Sequence, residues 1–79
     1  MFKATILTSQ RVLYDDKAWS VFLPGAAGEF EVLEFHKDIV SRLKGGNIVI
    51  DWNKKIPIAG GIMRMRDDEF VAVVEERVG

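Results

Sequence analysis

His36 is the only imidazole in the chain, and it closes a stretch, Leu23 to His36, that also holds Pro24, Gly25 and Gly28. Glycines at that spacing suit a phosphate loop, but such a loop needs a Lys-Ser/Thr pair opening a helix, where backbone N–H groups meet the phosphates. Here Gly28 runs into Glu29 and Phe30. A carboxylate at that point repels phosphate, so the stretch reads as a turn. A zinc site takes three or four ligands from His, Cys and carboxylates, and one histidine with no cysteine does not supply them. Ser9, Ser20 and Ser41 are available as nucleophiles beside His36, yet none lies in a glycine-flanked elbow. The acid pairs Asp15/Asp16 and Asp67/Asp68 would need burial or a close partner to do proton-transfer work. In polar breaks between apolar segments they read as solvated turn formers. No catalytic, cofactor-binding or metal-ligating residue is assigned, and the chain reads as a non-enzyme.

Composition sets the elements that must position these residues. With 48% hydrophobic and 29% charged residues the chain is a folded domain, and its 79 residues make one domain over 1–79 with no deep cleft. A net charge of −1 gives no drive toward nucleic acid or anionic lipid. With no cysteine, packing or a partner must stabilise the core. The first residues, MFKATILTSQR, lack the apolar run of a signal peptide, and no stretch of about 18 apolar residues is present to span a bilayer. A cytoplasmic location without membrane insertion is expected.

Apolar residues recur every second position at Phe2, Ala4 and Ile6, at Ile48, Ile50 and Trp52, at Ile56 and Ile58, and at Phe70, Ala72 and Val74. That is the period of half-buried strands. The last strand is apolar on both faces for much of its length. Polar breaks at Tyr14–Lys17, Lys44–Asn47, Trp52–Lys55 and Arg66–Glu69 have turn chemistry. The pattern predicts an all-β fold, a small two-sheet sandwich or flattened barrel of about eight to ten short strands. Pro57 is expected at an edge or bulge, where its missing N–H costs no ladder bond. From Lys37 to Lys44, Ile39, Val40 and Leu43 recur at helical spacing, which predicts one short helical turn. Met63 and Met65 alternate with Arg64 and Arg66, giving a core face under a solvent face or a face for a partner. Trp19, Trp52 and the other aromatics are large for so small a core, so some are expected at the surface as interface anchors.

The order of these features resembles the amino-terminal domain of the epsilon subunit of F-type ATP synthases, called delta in mitochondria. Ile6 to Tyr14 fits the family's first strand with its R-x-L/V-Y/F turn. Pro24, Gly25, Gly28, Glu29, Val32, Leu33 and His36 fit P-G-x-x-G-E-x-x-V-L-x-x-H. Leu43 to Ile50, Gly60-Gly61 and Glu69 to Val74 fit the later elements. The likeness covers essentially the whole chain. It departs where the family shows Gly-Val-Leu-Pro-Gly-His-Ala-Pro and this chain has Glu31 to Asp38, without the glycines and prolines.

The resemblance implies a non-catalytic rotor part that attaches to the gamma subunit and rests on the ring of c subunits, coupling ring rotation to ATP synthesis. It further implies a peripheral position on the cytoplasmic side of the inner (plasma) membrane, with no cofactor. Glu29, Glu31 and His36 are the ring-facing candidates it implies, and Met63 and Met65 are placed on the gamma-facing sheet. The carboxy-terminal helical pair of many family members does not follow Val78-Gly79, so a short form without inhibition or ATP binding is expected. The alternative is a free-standing β-barrel binding a peptide or single-stranded nucleic acid. The latter would need aromatics interleaved with a basic groove, which the scattered lysines do not supply.

Overall fold

A computed structural model of the chain describes residues 1–77. Its regular structure consists of eight strands: β1 (Phe2–Leu7), β2 (Val12–Ala18), β3 (Ser20–Leu23), β4 (Phe30–Leu33), β5 (Ile39–Leu43), β6 (Gly46–Ile50), β7 (Lys54–Arg66) and β8 (Glu69–Glu76). They form one hydrogen-bonded sheet in the order β2-β1-β8-β7-β6-β3-β4, with β5 added to β7. The sheet folds over so that both layers share one core, the expected all-β sandwich.

The fold-over depends on β7. Its first part, Lys54–Ile58, pairs with β6, and its later part, Gly61–Met65, pairs with β5. Its other side pairs with β8 from Ile58 to Arg66, with a register shift between Ile58 and Gly60. A bulge of this kind bends a strand and increases its twist, which lets one long strand serve two layers. Pro57 lies beside it. The Pro57 carbonyl accepts from the Arg77 N–H, and the ring nitrogen faces the same way, beyond the last β7–β8 pair, so no bond to β6 is lost. The first and last strands then lie side by side in parallel, from Lys3 opposite Glu69 to Leu7 opposite Val73.

Alternation delivers the core. Phe2, Ala4 and Ile6, Val21 and Leu23, Ile48 and Ile50, Ile56 and Ile58, Met63 and Met65, and Phe70, Ala72 and Val74 all point inward. Asp67 and Asp68 adopt φ of 51° and 60° and join β7 to β8 as a two-residue hairpin, the twist-matched geometry that Asp tolerates.

Three expectations are corrected. The helical turn over 37–44 is strand β5. Only Ile39, Ser41 and Leu43 turn toward the core, and Val40, which created the helical spacing, faces outward opposite Arg64. Pairing with β7 satisfies the backbone that a helix would have satisfied internally. Tyr14–Lys17 lies within β2, and the β1–β2 turn falls earlier, where Thr8 Oγ1 accepts from the Gln10 and Arg11 N–H groups. Trp52 does not continue β6; it sits in the Asp51–Asn53 turn with φ of 65°.

A tight backbone approach within the sheet occurs where β7 meets β8 beyond the bulge. A Cβ on Gly61 would stand 2.5 Å from the Val73 carbonyl oxygen and 2.9 Å from Val74 Cα. Gly61→Ala should therefore destabilise the domain by about 1–3 kcal/mol in urea unfolding. Gly45→Ala, whose nearest contact would be 3.3 Å, should cost less.

Candidate functional site

The connections gather at two ends of the sandwich. At one end lie Trp19, the Glu34–Asp38 segment, the Asp51–Asn53 turn and the Asp67–Asp68 hairpin. Carboxylates tie them together. Asp51 Oδ1 accepts from the Trp19 and Ser20 N–H groups at 2.7 and 3.2 Å. Asp68 Oδ1 accepts from the Phe35 N–H at 2.8 Å, and Asp38 Oδ1 from the Asp67 N–H at 3.2 Å. Glu34 pairs with the Met1 amino group. Glu31 Oε2 accepts from the Ser20 hydroxyl and from the Trp52 indole N–H, the latter at 3.0 Å. The non-glycine residues with positive φ among the described residues, Phe35, Asp51, Trp52, Asp67 and Asp68, all belong to this end. So do exposed Leu33, Trp19, Trp52 and Phe35.

The opposite end carries the Thr8–Arg11 turn, the Gly25–Gly28 turn and the β5–β6 connection. Gly28 N–H closes on the Gly25 carbonyl, and the Ala26 and Lys44 N–H groups donate to the Arg42 and Pro24 carbonyls, pinning the glycine turn against β5. No phosphate cradle results, because these amides are spent on the chain itself. Arg11 forks onto Glu76 here, its Nε donating to Oε1 at 3.2 Å.

The ring-facing candidates are thus spread along one edge rather than gathered. Glu29 precedes β4 at the glycine-turn end, exposed. Glu31 lies within β4, an edge strand, and is bonded to Ser20 and Trp52. His36 follows β4 at the other end, half-buried, its N–H closing a turn onto the Leu33 carbonyl. His36 Nδ1 stands 2.7 Å from the Lys37 carbonyl. A carbonyl only accepts, so Nδ1 carries a proton and donates. Among the described residues no three His, Cys or carboxylate side chains converge as metal ligands would.

Met63 and Met65 are 1% and 0% exposed, so as contact residues for a partner they are corrected: both thioethers fill the core. Their strand still offers an outer face. Cross-strand partners share a face, so Arg42, Ile62, Val73, Leu7 and Val12 form one row across five strands, and Val40, Arg64, Val71, Thr5 and Asp15 the next. Val40 is 64% exposed, and Ile62, Val73 and Val12 are also exposed. A shallow depression of about 290 Å³ lies among Val40, Ile62, Met63, Arg64, Val71 and Val73. Reading the methionines as the partner face missed this one. The signal for it was the apolar character of β8 on both faces, which a strand with one solvated face does not need.

The family model for the ATP synthase delta/epsilon chain β-sandwich domain matches residues 1–78. ATP synthase epsilon chains are among the similar proteins. That of Sulfurimonas denitrificans is 35% identical over 96% of this chain, and that of a Sulfurovum species 33% identical over 99%. The chain spans 62% and 64% of those relatives' lengths. A chain in the cryo-EM structure of the Tetrahymena thermophila mitochondrial ATP synthase central stalk and c-ring has the same fold, with a TM-score of 0.82 at 13% identity, over 94% of this chain and 63% of that one.

The hydrogen bond from Arg11 holds the Glu76 carboxyl below its ordinary value of 4.5. A carboxyl more acidic in the folded state than in the unfolded one adds stability above its unfolded pKa and loses it as pH falls through its folded pKa. The difference in melting temperature between wild type and Glu76→Gln should therefore shrink from about pH 6 to about pH 3 in calorimetric scans.

Proposed function

Because the chain belongs to the family of ATP synthase delta/epsilon chain β-sandwich domains, we propose that it is a non-catalytic part of the central stalk of an F-type ATP synthase. It docks on the gamma subunit and on the ring of c subunits and couples ring rotation to ATP synthesis. Catalysis lies on other subunits, and the domain sits at the periphery of the membrane on its cytoplasmic side. The observation that carries the reading is the family match along residues 1–78, joined to an architecture whose working surfaces are exterior faces.

The gamma-facing surface is the outer face of β5, β7, β8 and β1, centred on Val40, Ile62, Val71 and Val73. A rigid sheet with aligned apolar rows loses little conformational freedom on docking, and a permanent interface is rich in such surface. It replaces the buried Met63 and Met65 as the contact set. The ring-facing surface is the β4 edge with Glu29, Glu31 and His36. Carboxylates at exposed positions there, Glu29 and the Oε1 of Glu31 that is unbonded among the described residues, suit cationic side chains on ring loops.

Two variants separate these surfaces. Val40→Asp combined with Ile62→Asp should leave the isolated chain folded by circular dichroism and weaken binding to purified gamma subunit by about 2 kcal/mol or more. Glu29→Arg should leave both the fold and gamma binding intact and weaken assembly with the ring. Normal assembly of the double aspartate variant with gamma would remove the sheet face from the proposal, and unfolding of Glu29→Arg would make Glu29 a structural residue.

A further inference from the structure

Phe35 and Trp52 stand where the fold alone would not put them. Each has a left-handed backbone, φ of 64° and 65°, a region that bulky side chains occupy only under strain. Neither offsets that strain by burial, since the two residues are 82% and 66% exposed. Asp51, Asp67 and Asp68 share the conformation, but aspartate enters this region far more readily than a bulky residue does. At position 35 the resembling family pattern has glycine, the residue that takes this backbone freely.

Both aromatics are also fixed in place by carboxylates. The Phe35 N–H donates to Asp68 Oδ1 at 2.8 Å, and the Trp52 indole N–H donates to Glu31 Oε2 at 3.0 Å. Glu31 Oε2 takes the Ser20 hydroxyl as well, whereas Glu31 Oε1 makes no hydrogen bond among the described residues. An exposed indole whose N–H edge is bonded to a carboxylate with one unused oxygen matches an arginine or lysine side chain, with the stem or guanidinium over the ring and the charged head at the carboxylate. A phosphate or an acidic peptide would be repelled from the same spot.

We propose that Phe35 and Trp52 are binding anchors, held outward against backbone strain, that receive a loop bearing arginine or lysine. This rests on the ring-facing reading of the β4 edge, so the loop is a polar loop of the c-ring. The strain then has a function, because it presents two aromatic faces that a relaxed turn would lack.

The test uses the full chain with Phe35→Gly and Trp52→Asn, each suited to a left-handed backbone, and detergent-purified c-ring as the probe. Both variants should melt at or above the wild-type temperature, by up to about 5 °C. Both should bind the ring at least about tenfold more weakly. Glu31→Gln, which keeps an acceptor for Trp52 and Ser20 but carries no charge, should bind more weakly and with a flatter salt dependence. If both aromatic variants melt well below wild type, the rings support the fold and the inference fails, while ring binding by wild type leaves the ring-facing reading standing. Unchanged ring binding by both also overturns the inference. A wild-type chain that does not bind the ring overturns the reading and the inference together.

Discussion

Alternation along a strand gives the core only one residue in two, and in a domain of this size that single core takes almost every large inward side chain. The seventeen or so positions that fill it include Phe70, Ile6, Leu23, Ile48 and both core methionines. The other half of each strand faces out. Function in such a molecule is therefore a property of outer faces and of connections, and residue chemistry matters through what those surfaces present. The β7 bulge makes this arrangement possible, because it lets a single sheet enclose the core from two sides.

Strands whose outer residues were plainly polar were legible in the sequence: Phe2 to Ile6 against Lys3 and Thr5, and the start of β7, Ile56 and Ile58, after Lys54 and Lys55. The Asp67-Asp68 hairpin was legible as well, since its chemistry is local. Three segments were not. Val40 is apolar on the wrong face for the core, so Ile39, Val40 and Leu43 imitated a helix. Tyr14 to Lys17 are polar because β2 is an edge strand that needs charges, with Asp15 set against Lys3, and this imitates a turn. Trp52 kept the period of β6 for one step beyond the strand's end. In each case the misleading residue was answering to an outer face or an edge, a demand that periodicity does not distinguish from burial.

The same parity governs the candidate site. Met63 and Met65 were correctly assigned to the face opposite Arg64 and Arg66, but which face meets the core depends on the layer packed against it, and β7 has its partners set by distant strands. Once the methionines are inside, Ile62 and Val73 are necessarily outside and side by side. The exposed apolar rows thus follow from the core assignment, although no motif marks them.

The loop end shows why sequence reading of a site stops where it does. In the resembling family the turn before the histidine is encoded locally, by glycine and proline that set their own backbone angles. Here Glu34 and Phe35 stand in that turn, and its shape is set from far away: Asp68 holds Phe35 across 33 residues, Asp38 holds Asp67 across 29, and Glu34 reaches Met1 across 33. Such bonds exist only after the strands have assembled, so the conformation is imposed by the tertiary fold rather than chosen by the segment. A carboxylate accepting a backbone N–H is a strong bond, and it is what makes a left-handed phenylalanine tolerable without glycine's freedom. Information carried by the local backbone elsewhere in the family is carried in this chain by side chains meeting across the end of the sandwich. That exchange frees position 35 to bear an aromatic ring at the surface.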